Sequence, residues 1–290
     1  MHILTLIAAR AHTVLDRAVL ESVADVVGSD AWRVLSPLEA VEVACSTEPD
    51  SLQVQAALGG RAIDAITTPD GSARRKLLLI ADMDSTIVTS ETLDELAGFA
   101  GLKDQIAQVT ARAMNGELDF KEALRYRVSL LAGLPLAALE STWQSTRLTP
   151  GALTLVRTMK RSGATTALVS GGFTFFTSRV AALCGFDLHR SNVLLDDGTA
   201  LTGHVAEPIL DKDSKRATLI ELAAERGIPF EATLAVGDGA NDLPMITTAG
   251  LGVAFHAKPI VAASARAQVK FADLTALLFA QGYQAGEFVE

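Results

Sequence analysis

Lys76-Leu77-Leu78-Leu79-Ile80-Ala81-Asp82-Met83-Asp84-Ser85-Thr86 is the stretch on which the fold turns. A near-continuous apolar run, led by charge and followed at once by carboxylates, is the pattern of a parallel strand buried on both faces. Two similar runs come later. Residues 165–169 end at Ser170-Gly171-Gly172, and residues 233–236 end at Gly237-Asp238-Gly239. A helical stretch precedes each, over 153–161 and 216–226, with Gly163 and Gly227 as stops. This alternation predicts an α/β fold built on an open, doubly wound, mostly parallel sheet. In such sheets ligands bind beyond the carboxyl ends of the strands, which is where the polar clusters stand.

Upstream, residues 1–72 read as a small α+β unit. An apolar strand over 3–9 is followed by a helix over 13–27, with Val14, Leu15, Ala18, Val19, Val23 and Val26 at helical spacing. Two short β-rich pieces flank Ser36-Pro37, and a helix over 51–58 stops at Gly59-Gly60. The order β, α, β, β, α suggests a ferredoxin-like or ACT-type half. Thr67-Thr68-Pro69-Asp70-Gly71-Ser72 has the composition of a linker. Residues 73–290 then form the sheet domain, with a mostly helical cap inserted at about 89–149.

The chain of 290 residues is 49% hydrophobic and 20% charged, without low-complexity tracts, which indicates a globular protein throughout. A formal net charge of -9 and a pI near 5.1 disfavour a general nucleic-acid binder, which needs a basic surface. A small anion needs only a few local donors and is not excluded. Cys45 and Cys184 are far apart and outside any zinc-type spacing, so reduced core thiols are expected. The first residues lack the basic start and the length of a leader or membrane span, so the cytoplasm is the expected location, with no membrane partner.

Four clusters carry candidate chemistry. Asp82-Met83-Asp84-Ser85-Thr86 reads equally as a solvated acidic loop or as a pair of carboxylates that a strand-end turn aims at one point. Ser170-Gly171-Gly172 offers a hydroxyl and exposed N–H groups to a phosphate, or is simply a tight turn. Lys215, at a helix start, is a compact cation suited to a phosphate oxygen and by itself an ordinary surface lysine. Gly237-Asp238-Gly239-Ala240-Asn241-Asp242 suits a hard, oxygen-seeking cation such as Mg2+, or forms a capped turn. Their conjunction in one domain supplies a nucleophile, an acid, a metal site and phosphate clamps.

In this order the clusters resemble the haloacid dehalogenase superfamily, a Rossmannoid fold. Within it the cap segments Ser90-Glu91-Thr92-Leu93-Asp94-Glu95, Ala113-Met114-Asn115-Gly116-Glu117-Leu118-Asp119-Phe120 and Leu124-Arg125-Tyr126-Arg127 are similar to those of the phosphoserine phosphatases. So are Val169-Ser170-Gly171-Gly172-Phe173, Leu201-Thr202-Gly203 and Ala254-Phe255-His256-Ala257-Lys258-Pro259, so that the resemblance extends over about 77–278. It implies hydrolysis of O-phospho-L-serine to serine, the last step of serine biosynthesis, with Asp82 as nucleophile and Asp84 as general acid and then base. Mg2+ would be held by the Asp82 carboxylate, the Asp84 carbonyl and Asp238. Ser170, the Gly171 N–H and Lys215 would hold the phosphoryl oxygens, with Asn241 orienting substrate and Asp242 one step further out. Glu91 would pair with the substrate ammonium, Arg127 with its carboxylate, and Met114 and Phe120 would close over it. Related phosphatases of phosphohomoserine or phosphothreonine, an amino-acid sensor with a degenerate phosphatase domain, and a homodimeric assembly remain compatible with the same residues.

Overall fold

The computed structural model describes residues 1–9, 11–29, 31–114 and 117–290, without the Met114 side chain. The first six elements are β1 (His2–Ala8), α1 (Arg17–Val27), β2 (Trp32–Ser36), β3 (Ala40–Cys45), α2 (Ser51–Leu58) and β4 (Ile63–Pro69). Their strands form one antiparallel sheet in the order β2-β3-β1-β4. β1 is apolar on both faces because both are covered. Leu4, Leu6 and Ala8 pack under Val19, Val23, Val54 and Leu58 of the two helices, while Ile7 joins the large core on the other side.

Two expectations need correction here. Residues 67–69, read as linker, belong to β4, with Thr67, Thr68 and Pro69 opposite Leu4, Ile3 and His2. Pairing with β1 overrides the turn-like composition, and proline is tolerated because β4 is an edge strand. Helix α1 starts at Arg17 rather than 13, because the Asp16 carboxylate accepts from Val19 N (2.9 Å) and caps it.

The rest comprises β5 (Leu78–Ala81), α3 (Thr92–Gly98), α4 (Lys103–Met114), α5 (Phe120–Ser129), α6 (Ala137–Ser145), α7 (Ala152–Arg161), β6 (Thr165–Phe173) and α8 (Thr174–Cys184). Then follow β7 (Leu188–Asn192), β8 (Leu194–Asp196), β9 (Leu201–Val205), α9 (Lys212–Glu225), β10 (Thr233–Gly237), α10 (Leu243–Thr248), β11 (Leu251–Phe255), α11 (Pro259–Ser264), β12 (Ala267–Val269) and α12 (Ala276–Ala280). Six strands, ordered β12-β11-β10-β5-β6-β7, are all parallel. Leu78 and Ile80 of β5 face Leu219, Leu222 and Met245, whereas Leu79 and Ala81 face the core shared with Leu155, Phe176 and Leu277. That two-sided burial is what the apolar run at 77–81 requires.

The chain leaves β5 on one side for β6 and β7 and continues on the other through β10, β11 and β12. The direction of winding therefore reverses beside β5, and the carboxyl ends of β5, β6 and β10 meet at one crevice. Helices α3 to α6 form the inserted cap. Its two connections run side by side, with Thr149 N donating to Ile87 O (2.9 Å) and Thr89 N to Arg147 O (3.0 Å). β6 runs on through Ser170-Gly171-Gly172 to Phe173 instead of ending at residue 169, with its pairing to β7 interrupted there. The glycines mark a strand irregularity rather than a turn. Strands β7 and β12 and the β8–β9 hairpin are too short or too polar to stand out as apolar runs, whereas β11, Leu251-Gly252-Val253-Ala254-Phe255, is an apolar run that the sequence reading passed over.

The two sheets are bound through buried polar contacts. The Asp64 carboxylate on β4 accepts from the backbone N–H groups of Lys270, Phe271 and Ala272 (2.7, 3.1 and 2.8 Å), and Arg74 pairs with Glu42 of β3 (2.5 Å). Lys76 is buried where the chain enters β5, and its ammonium donates to the carbonyls of Ala73 (2.8 Å) and Glu231 (2.7 Å) without a contacting carboxylate. Burial lowers its pKa to about 8, with Arg74 adding to the effect and Glu231 opposing it. The unfolded chain, near the ordinary 10.5, then binds more protons than the native one between about pH 8 and 10.5, so this lysine makes stability rise with pH over that window. The unfolding free energy of the protein minus that of a Lys76→Met variant should increase from pH 8 to 10.5. A flat difference in denaturant titrations would contradict this.

Candidate active site

Asp82 stands at the tip of β5, and a residue of left-handed backbone brings the chain round behind it. Ser85 has φ 54°, between Asp84 in extended conformation and buried Thr86. Asp82 and Asp84 are both extended, but Met83 between them has helical backbone, which breaks the alternation that would send the two carboxylates to opposite faces, and both line one cavity. The Asp82 Oδ1 accepts from Met83 N (2.8 Å) and from the Lys215 ammonium (2.8 Å). Asp84 is held from the cap, with its Oδ1 accepting from Thr92 N (2.9 Å), while its Oδ2 faces the Ser170 hydroxyl at 3.4 Å.

Gly171 and Gly172 are required by close approach. A Cβ on Gly172 would lie 2.7 Å from Asp84 Oδ2 and 3.1 Å from Ser170 Oγ, and one on Gly171 would lie 2.7 Å from the Phe120 ring. Lys215 is fully buried in the first turns of α9. That helix begins at Lys212, four residues before the expected start, because Asp211 and Ser214 form a capping box. The Lys215 ammonium bridges Asp82 and Asp242 (2.6 Å). The second Asp242 oxygen accepts from the N–H groups of Asp238 (3.1 Å) and Gly239 (3.0 Å), which ties the turn after β10 to the lysine.

Carboxylate oxygens of Asp82, Asp238 and Asp242 lie within 4.8 Å of one another. Among the described residues, both oxygens of buried Asp238 lack a hydrogen-bond partner, and the Lys258 ammonium stands 4.0 Å away. Without a further cation this is an expensive arrangement. Burial, then the charges of Asp242 and Asp82, push Asp238 up to about 9, and burial with Asp242 pushes Asp82 up to about 7. Burial would lower the pKa of Lys215, but the two adjacent carboxylates outweigh it and hold the ammonium charged. An oxygen-only donor set with an unpaired buried carboxylate fits a hard divalent cation such as Mg2+. The Asp84 carboxylate faces Thr92 and Ser170 in the same cavity and is not one of this cluster. Asp242, read from sequence as one step removed, stands inside it with both oxygens already engaged.

The opposite wall belongs to the cap. Glu91, the residue before α3, accepts from Ser85 Oγ (2.6 Å), and burial followed by the charge of Asp84 pushes it up to about 7. Arg127 on α5 is buried rather than a surface charge. Phe120 lies over Gly171, and Asn241 lines the same cavity with a buried Oδ1 that lacks a partner. The cavity is narrow, with about 60 Å³ of free volume, and opens to solvent at its mouth. Asp82, Asp84, Glu91, Phe120, Arg127, Ser170, Gly171 and Asn241 thus share one cavity, with Lys215, Asp238 and Asp242 directly behind it. The Met114 side chain lies outside the described residues.

Sequence reading missed Thr92, Thr110 and Asp94. Thr92 holds Asp84, and Thr110 lines the cavity between Arg127 and Asp94. Thr92 and Asp94 stand in segment 90–95 without a role read for them, Thr110 stands outside the segments that carry the resemblance, and helix packing brings Thr110 to Asp94.

Residues 77–250 match the haloacid dehalogenase-like hydrolase family. Over 252 residues, 85% of the chain, it is 43% identical to a phosphoserine phosphatase of Streptomyces coelicolor, and it spans about six-tenths (61%) of that relative's length. A phosphoserine phosphatase of a Polaromonas species is 43% identical over 73% of the chain and 93% of its own length. A solved HAD family hydrolase of Salmonella enterica serovar Typhi superposes with a TM-score of 0.83 at 31% identity, over 96% of this chain and 98% of that one. With its sheet, its strand-end acids and its inserted cap accounted for in this way, the chain belongs to the haloacid dehalogenase-like hydrolases.

Proposed function

We propose that the protein hydrolyses O-phospho-L-serine to serine and phosphate through an aspartyl-phosphate on Asp82, as the last step of serine formation. The observation that carries this reading is the pairing of walls in one cavity. Acids and a hydroxyl from the strand ends, with the Lys215 ammonium of α9 behind them, face a half-buried acid and a buried guanidinium from the cap. The likeness to phosphoserine phosphatases supports the same substrate.

Asp82 attacks phosphorus while Asp84 gives its proton to the departing serine oxygen. Burial and the neighbouring Asp82 push Asp84 up to about 6, which favours a carboxyl able to donate. Asp84, now a carboxylate, takes a proton from the water that attacks the phosphoryl-aspartate, and the Asp82 carboxylate leaves. Ser170, the Gly171 N–H and Lys215 hold the phosphoryl oxygens as charge spreads over them, with Lys215 fixed by Asp242. Glu91 receives the substrate ammonium and Arg127 its carboxylate. Phe120 closes the cavity against water, and Asn241 orients the bound molecule.

Asp82, the Asp84 carbonyl and Asp238 would hold Mg2+, with Asp242 beside them. The ion would neutralise the carboxylates and the phosphoryl oxygens. Residues 1–72 and 73–290, with the cap at about 89–149, are taken as the functional division of the chain. No helix among the described residues is long and apolar enough to cross a membrane, and free Cys45 and Cys184, both buried, suit a reducing cytoplasm.

Asp82→Asn should lower phosphate release from phosphoserine at least about a thousandfold without altering the circular dichroism spectrum. Comparable turnover of phenyl phosphate, phosphothreonine and phosphoserine by the unsubstituted protein would rule out the serine-specific reading. Gly172→Ala drives a methyl group onto Asp84, so kcat should fall about a hundredfold with the fold retained. Chelation should abolish turnover, and calorimetry should show Mg2+ binding that is lost in Asp238→Asn.

A further inference from the structure

Arg127 is buried, and a chain of hydrogen bonds ties it to Thr110 and Asp94, two residues to which the sequence reading gave no role. Its Nε donates to the carbonyl of Ala123 on its own helix (3.2 Å), and its Nη1 donates to the Thr110 hydroxyl on α4 (2.8 Å). That hydroxyl has one proton of its own. It can go to Asp94 Oδ1 on α3 at 2.7 Å or to the Ile106 carbonyl at 3.1 Å, and the shorter, charge-assisted bond is the stronger. Arg127, Thr110 and Asp94 are all buried, and the chain of bonds crosses three cap helices.

We propose that Thr110 and Asp94 are positioning residues that orient the Arg127 guanidinium toward the substrate carboxylate and so set selectivity for carboxylate-bearing phosphoesters. This rests on the reading of Arg127 given above. Asp94 makes no direct ion pair with Arg127 among the described residues. Its negative charge is delivered through the Thr110 hydroxyl, which spares the guanidinium from being closed off by a permanent partner. Nη2 makes no hydrogen bond among the described residues and stays available for a planar, two-point contact. An arginine has four rotatable side-chain bonds, and fixing two of its nitrogens beforehand removes ordering cost from substrate binding. Thr110 itself lines the cavity with Glu91 and Arg127, so the bracket stands where the ligand's head group would lie.

The alternative is that Thr110 only bonds back to its own helix, as threonines often do. The two roles separate on a pair of substrates that differ only in a carboxylate, O-phospho-L-serine and O-phosphoethanolamine. In the full chain, Thr110→Val should lower the phosphoserine-to-phosphoethanolamine ratio of kcat/KM about tenfold, the loss falling mainly on the KM for phosphoserine. Thr110→Ser should restore the ratio, and Asp94→Asn should shift it in the same direction as Thr110→Val. Arg127→Met serves as reference. If it collapses the ratio while Thr110→Val and Asp94→Asn, both folded by circular dichroism, do not, the proposal is overturned and the substrate reading stands. If Arg127→Met leaves the ratio unchanged, the role of Arg127 fails and the positioning role with it. Should Thr110→Val not fold, Asp94→Asn alone decides between the same two outcomes.

Discussion

The constraint on which the structure depends is the burial of several carboxylates around one ammonium. Asp82, Asp238 and Asp242 share a small space with Lys215, and Asp84 and Glu91 stand close by. Taking so many like charges out of water is costly unless each is compensated by hydrogen bonds and opposite charge. Lys215 and backbone N–H groups compensate Asp82 and Asp242. Among the described residues the Asp238 carboxylate has no hydrogen-bond partner and only the Lys258 ammonium at 4.0 Å, an excess of negative charge that suits a cation. Rigid surroundings keep it from relaxing, since Gly237 sits so close to Asp242 that any side chain there would collide with the carboxylate.

The sheet makes this concentration of charge attainable. Parallel strands end at the same edge, and the reversal of winding beside β5 opens a crevice there instead of covering it with a connection. The tips of β5, β6 and β10 can then contribute polar residues without disturbing the apolar faces below them. The cap enters and leaves beside β5, immediately after the reactive turn, so that its helices arch over the same edge. Gly203 on β9 lets the cap pack close, because a Cβ there would lie 2.9 Å from that of Ala132. One wall of the cavity comes from Asp82 and Ser170 at strand ends and the facing wall from Glu91, Phe120 and Arg127 of the cap, two stretches of chain brought together over one edge of the sheet.

Much of this was legible in the linear sequence. Asp82, Ser170, Lys215 and Asp238 each stand at or near the end of a periodic apolar segment, and periodicity is a local property that the chain carries in itself. Residues 67–69 and 170–173 were misjudged because their local chemistry, rich in Thr, Pro, Ser and Gly, favours turns, while strand pairing over long sequence distances holds them extended. Strand β7, Leu188-His189-Arg190-Ser191-Asn192, has no apolar signature because it is an edge strand that needs only one good neighbour. Asp64 reads as a polar interruption until its three backbone donors from residues 270–272 are seen.

The sequence by itself determined the α/β architecture, the separate β-rich unit at the start, the inserted helical cap and the identity of the acids at the strand ends. It could do so because those features depend on residue type and on spacing within a few turns or strands. The tertiary structure alone decided which atoms meet: that Asp82 and Asp84 line one cavity, that Lys215 lies between Asp82 and Asp242, that the Asp238 carboxylate has no hydrogen-bond partner among the described residues, and that Thr110 stands between Asp94 and Arg127. The contacts of Lys215 and Thr110 join residues 16 to 133 positions apart, and a hydrogen bond fixed to a few tenths of an ångström is set by how helices and strands pack, not by the order in which they occur.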